Sequence, residues 1–456
     1  MSTISTLRNA VPCRNIGART FIMMLAALSF ACGGEEGDGF AQQEQSLDFN
    51  TSGSMQTKVS STNRLPCGGS RGRRHSNGGG FVASTASVHS YAYVGTHAQV
   101  CGFAKVLQNA RIREYARIDG FAQVGNGPSM SYSKVTVEGH ARISGNALVQ
   151  GRTTVSGSAK ITHDAKIVGP YKTLITGTAL VAENARIESL SWYHPLTMEG
   201  GQLLGHAKLK TTYTSADMLI SGSALIDDYA EIRDNVSVDG NAKISGHSKV
   251  FCRNKLNPQT ANTRSDVRGD AKVDGIATIE CSQLSGSAKV LATPTNYNSD
   301  PGVRLLYSTM YGNAQARDNA YISKSTLRDF AIVGGSCSVE ESTIRDHAMV
   351  SDWGTEVKRS VIAGNASIET QAKVHGTPTD STSGGLTRVE GDAVVSWSAE
   401  VGPGYCHQFF GTTNGLAPAR IYGNAWIKGG STLIKGGSIG GQNILTSGTY
   451  ECEDLN

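Results

Sequence analysis

A six-residue beat constrains this chain more than any other feature. From Val82 onward, apolar residues fall at Val88, Val94, Val100, Val106, Ile112, Ile118 and Val124, and an alanine stands two places before each, from Ala86 to Ala122. Residues two apart on a strand face the same side. Each unit of six therefore sends one small and one β-branched side chain inward. Between units come Gly and Asn, as in "GHARISGNALVQG" and "DGNAKISGHSKV", residues that tolerate the positive φ of a tight corner. Three such faces per coil close a narrow prism, and coils stack about 4.8 Å apart through backbone hydrogen bonds. The fold class expected is all-β, a single-stranded parallel β-helix over 82–445 with inserted loops. The register gives about seventeen coils and a rod on the order of 80 Å long. Five-residue steps interrupt the beat from Ile322 to Leu327 and from Val339 to Ile344. An antiparallel sandwich would not hold the beat through "RTTVSGSAKITHDAKIV" (152–168). The 54 glycines and 7% aromatic residues suit many short strands and disfavour helical bundles.

The first 31 residues carry Arg8, Arg14 and Arg19 and no acid, followed by "FIMMLAALSFA". That is the pattern of a secretory signal peptide, its apolar run too short to span a bilayer. Removing it takes the formal charge of +4 close to neutral. "LSFAC" resembles a bacterial lipobox, with Ser29 where that pattern prefers Leu. The resemblance implies lipidation of Cys32, and Gly33 after it implies outer-membrane sorting or display at the cell surface. Simple secretion is the alternative. Residues 32–65 are rich in Gly, Ser, Gln and acid and read as a flexible, lipid-anchored tether. An open array needs its ends covered, so 66–81 and 446–456 are expected to be caps.

Cysteines test the register. Cys337 occupies the alanine slot before Val339 and is expected to be a buried filler. Cys252 and Cys281 each lie two after an inward residue and one coil apart, within reach of a disulfide. Pairings of Cys406 with Cys452 and of Cys67 with Cys101 follow by elimination. No CxxC occurs, and neither a metal nor a cofactor is expected.

Candidate chemistry lies where the beat breaks. Counting by threes puts the interruptions at 125–135, 169–173 and 188–201 after one face, and those at 291–308, 375–388 and 402–420 after another. Loops 375–388 and 402–420 leave neighbouring coils and supply His375, Asp380, Tyr405, His407, Phe409 and Phe410. An aromatic platform beside acid–base groups suits sugar binding or sugar cleavage; in the latter case His407 and Tyr405 would move protons and Asp380 would support them. Alternatively, Phe409 and Phe410 plug the solenoid wall. Trp192, Tyr193 and His194 form a second aromatic group. The outward residues Arg117, Arg142, Lys160, Leu180, Lys208, Glu231 and Lys249 read as one mainly basic stripe, suited to an anionic polymer such as a uronate chain; the bland alternative is a solubilising face. His97, His140, His206 and His247 share the slot before the inward small residue. Neither HExxH nor GxSxG is present, and an exported lipoprotein is an improbable partner for nucleic acid.

"RRHSNGGGFVASTASVHSYAYVGTHAQV" (73–100) resembles the opening of the hexapeptide-repeat region of Svx-like secreted bacterial proteins, on His75, Asn77, Gly78, Gly79 and Gly80. The peptidase part often found beside it is missing, so no proteolysis carries over. The beat also resembles YdcK-like hexapeptide proteins and, more distantly, left-handed-helix acyltransferases. These resemblances imply a left-handed coil. Acyl-CoA is unavailable outside the cell, which counts against acyl transfer. The expectation is a surface-tethered binding or scaffold module for an acidic polysaccharide. The alternative is a polysaccharide lyase or hydrolase with its site in 375–420. The oligomeric state is left open.

Overall fold

A computed structural model describes residues 65–126, 133–169, 171–191, 194–212, 217–253, 264–293, 302–376, 385–406, 415–429 and 432–455. They form an all-β parallel solenoid. The first face starts at Phe81–Ala83, the second at Ser87–Val88 and the third at Tyr93–Val94, and the order then repeats. Strands one coil apart pair in parallel, as Arg117–Ile118 does with Arg142–Ile143 and Lys105–Val106 with Gln123–Val124. The second face alone stacks 18 strands, in line with the expected coil count.

The interior is what the beat predicts. Ala98, Val100, Ala116, Ile118, Ala141 and Ile143 are all fully buried, and the same pattern continues through Ala425 and Ile427. One coil cannot cover its own inner face, so each coil's stability comes from its neighbours. Cys337 sits in this core at 2% exposure, and burial pushes its thiol pKa up to about 12.

Gly201 hides one rung from a count that looks for alanine. Strand Leu196–Leu203 runs over two faces: Leu196–Glu199 stack on Thr173–Thr176, while Gln202 and Leu203 stack on Leu180 and Val181. Gly201 fills the small slot and Leu203 the branched one, both buried. This extra rung corrects two expectations. The basic stripe is two stripes, because Arg117, Arg142, Lys160 and Leu180 continue into Gln202 on the first face. Lys208, Glu231 and Lys249 stack on the second face after Arg186. The interruptions after Val374 and Val401 also leave the same edge as the early ones, between the second and third faces. Only the one between Ala292 and Val303 leaves the edge between the first and second.

The N-terminal end is covered. Gly72–Arg74 pairs antiparallel with Phe81–Ala83, and the loop between them folds over the third face. There Asn77 O accepts the Val94 N–H, its side-chain amide donates to Ala92 O, and Gly80 N–H donates to Val94 O. A Cβ on Gly78 would lie 2.4 Å from Val94 O, and one on Gly80 would lie 2.3 Å from Gly95 O. The Asn-Gly-Gly-Gly run is therefore a close backbone approach that seals an edge. Cys67–Cys101 ties the preceding turn to the next coil, where Val100 stacks on Val82. At the other end, the segment expected as a cap continues the winding: Gly448–Glu451 and Asp454–Leu455 pair in parallel with Thr432–Lys435 and Gly437–Ile439.

Candidate functional site

Disulfide geometry fixes the coil count around the central insertion. Val250 stacks on Ile279, and Cys252–Cys281 closes beside them with a Cα–Cα distance of 4.4 Å. Cys452 is also disulfide-bonded. Cys406, its expected partner, lies in strand Gly404–Cys406, whose side chain is outside the described residues.

The loop cluster at 375–420 is partly placed. Lys373 and Val374 stack on Glu400 and Val401, so the two loops do leave adjacent coils. Gly404–Cys406, which contains Tyr405, forms an antiparallel hairpin with Gly415–Ala417. His375 points outward from its strand, with Nε2 3.6 Å from Glu356. Asp380, His407, Phe409 and Phe410 lie outside the described residues, as do Trp192, Tyr193 and Cys32. His194 Nδ1 meets Asp217 at 3.0 Å in an exposed pair.

The stripe residues are partly neutralised locally. Arg117 grips Asp119 through Nε and Nη2 at 3.1 and 2.6 Å, and Arg142 approaches the same oxygen at 3.5 Å. The four histidines of the shared slot divide between two edges. His97 and His140 sandwich Tyr115, with ring centroids 5.2 Å apart on both sides. His206 and His247 sandwich Tyr229 at 4.9 and 4.8 Å. Phe103 stacks on Phe121, and Phe330 on His347. These rings follow from the stacking period: the slot before the inward alanine repeats coil on coil, bringing aromatic residues into offset contact. Each such contact contributes about 0.5–1.5 kcal/mol. The sequence signal was present in the same slot at Tyr115 and Tyr229, beside the histidines already singled out. Among the described residues, no three metal-ligating side chains converge.

One concavity gathers polar and aromatic groups that the loop argument did not find. A groove of about 720 Å³ opens on the third face of the first coils. That is within the roughly 300–1,000 Å³ of small-ligand clefts. Tyr93 and Arg111 are stacked outward residues of its floor. Tyr91, Arg113, Glu114, His97 and Lys134 line its sides, and Asn77 of the cap closes one end. Tyr91 is 77% exposed. Glu114 spends its carboxylate on the Gly139 N–H at 2.8 Å, and Arg113 lies 4.0 Å from Glu138. Three cations thus face a groove holding two tyrosine rings and one already engaged acid. Guanidinium groups present forked donors that match carboxylates, and tyrosines offer flat apolar faces with a polar tip.

The fold defines a class, the parallel β-solenoids. Neither a family model nor a curated protein matches the chain.

Proposed function

We propose that the protein is a surface-tethered solenoid that binds an acidic cell-surface or extracellular polysaccharide. The observation that supports this most is the convergence of Arg111, Arg113 and Lys134 beside Tyr91 and Tyr93 in one open groove. A uronate carboxylate would pair with the cations while its ring packs on tyrosine. Arg117, Arg142 and Lys160 continue along the adjoining first face, where a longer chain would extend. The two disulfides point to a location outside the cytoplasm, which agrees with a signal peptide at 1–31 and an anchor on Cys32. The same reading makes the winding left-handed and places the array among hexapeptide-repeat proteins, on the strength of the beat and the His-x-Asn-Gly-Gly-Gly opening.

The test is affinity electrophoresis of the mature chain in gels containing polygalacturonate or alginate. Retardation is expected that weakens as salt is raised. Arg111→Ala with Lys134→Ala should weaken binding at least about 10-fold, the size of one lost charged hydrogen-bonding pair. Retardation that ignores both salt and this double variant would overturn the reading.

A further inference from the structure

The two ends of the solenoid carry opposite charge. Between Leu65 and Arg113 stand Arg71, Arg73, Arg74, Lys105, Arg111 and Arg113, without a single Asp or Glu. The stretch from Gly436 to Leu455 holds Glu451, Glu453 and Asp454 and no Lys, Arg or His. Arg71, Arg73, Glu451, Glu453 and Asp454 are all exposed. Arg74 spends its guanidinium on Gly79 O and Thr96 O, and Glu451 lies beside Lys435 one coil back. Among the described residues, Arg71, Arg73, Glu453 and Asp454 have no ion-pair partner.

The same ends leave strands with a free edge. Ile444–Leu445, Gly448–Glu451 and Asp454–Leu455 each have a parallel partner on one side only. Leu445, Tyr450 and Leu455, the inward residues of that last coil, are only half-buried. At the N-terminal end the hairpin and the glycine loop cover the first and third faces. On the second face, Ser87–Val88 pairs with Lys105–Val106 alone, and Val88 is half-buried. Arg73 pairs with the inward-facing Val82, so its side chain stands over the mouth of the prism. Tyr450 stacks on Ile434, and Val88 on Val106, all facing inward. One copy set on the end of another would therefore continue the second face in register, with Thr449 against Ser87 and Tyr450 against Val88. The cationic end of one copy would then face the acidic end of the next.

We propose that these two ends are complementary docking surfaces for a second copy of this chain, so that molecules associate head to tail. The ends differ, so the contact is heterologous and leaves a free surface at each end of the pair for further copies. It covers the cross-section of one coil, which places it at the small end of interface sizes and makes it depend on charge. The contact stands apart from the cationic groove on the third face and does not rest on what binds there.

The test is sedimentation velocity of the mature chain over a concentration series, at about 20 mM and about 500 mM salt. Association should grow with concentration at low salt and vanish at high salt. Arg71→Glu with Arg73→Glu should weaken it at least about 10-fold, and so should Glu453→Lys with Asp454→Lys. Both double variants should keep the circular dichroism of the wild type. Mixing them should restore association, because each offers the charge that the other lacks. Register is read separately: chains carrying Ser87→Cys and chains carrying Thr449→Cys, mixed under mild oxidation, should cross-link to each other in preference to themselves. Stacked residues one coil apart lie within disulfide reach. Monomers at every concentration would overturn the proposal, and would follow if tether acids such as Glu35, Glu36 and Asp38 occupied the cationic end instead. Association that ignores salt or either charge reversal, no recovery in the mixture, or no preferential cross-link would overturn it equally.

Discussion

Along the edge between the second and third faces, some coils carry inserted segments, whereas the coils from Ser265 to Ser360 close the same edge with one residue. In those tight coils a single residue at positive φ is followed by a buried serine, as at Cys281–Ser282, Tyr307–Ser308, Lys324–Ser325, Glu341–Ser342 and Arg359–Ser360. Each serine hydroxyl donates to the carbonyl two residues back, and those from Ser282 to Ser342 also accept the N–H of the serine one coil on. Ser308 Oγ, for instance, donates to Leu306 O at 2.7 Å and accepts from Ser325 N at 3.1 Å. The hydroxyl does the hydrogen bonding that a longer turn's backbone would do, which is why the beat drops to five there. A solenoid edge can thus be opened for loops or shut with a continuous column of hydroxyls. The shut version has little slack, because every member is buried and bonded on both sides.

The Cys252–Cys281 bridge joins the two regimes, and its removal should have the largest effect. Cys252→Ala with Cys281→Ala is expected to cost about 3–4 kcal/mol, the loop-closure value for such a span. Urea midpoints and amide exchange in the flanking coils would read it. A loss below 1 kcal/mol would mean that the serine column alone sets the register. Ser308→Ala comes next, at about 1–3 kcal/mol, because it strands the buried Ser325 N–H, while Leu306 O keeps the Lys324 N–H as a donor. Asp217→Ala, at an inserted corner, removes an exposed partner of His194 and should change stability by less than about 0.5 kcal/mol. Equal effects of these two variants would erase the distinction between open and shut edges.

A comparably small effect is a pH dependence on the second face. A hydrogen bond from Lys358 holds the Glu356 carboxyl below its ordinary value, and Glu356 in turn raises Lys358. A depressed carboxyl contributes stability above its unfolded pKa and loses it as pH falls through the folded one. Glu356→Gln should therefore remove about 0.5 kcal/mol at neutral pH and progressively less as falling pH protonates the wild-type carboxyl. Denaturation at pH 7 and at pH 2.5 would compare the two.

The inward slots were legible because each holds a residue whose size the prism dictates, which is why Cys337 could be placed from its position alone. Gly201 was not legible, since a glycine in the small slot looks like a corner, and that one omission misassigned the basic stripe and the later loop faces. The five-residue steps were visible without their cause, because a buried serine reads like any other turn residue until the coils are stacked. The groove escaped notice for a related reason. Tyr91, Arg111 and Lys134 come from successive coils, and only the pairing of Tyr93 with Arg111 shows them to be neighbours. The loop residues Asp380 and His407 carry no beat, so nothing in the periodicity fixes their geometry.

The covered N-terminus has a mechanical consequence. Hairpin, glycine loop and Cys67–Cys101 rivet the first two coils, while the last described strands, Ile444–Leu445, Gly448–Glu451 and Asp454–Leu455, have a parallel partner on one side only. Fraying of these strands should therefore need the disulfide at Cys452 to be reduced first, after which it should travel backwards coil by coil until it meets the Cys252–Cys281 staple, as a spring peels off a fixed mount.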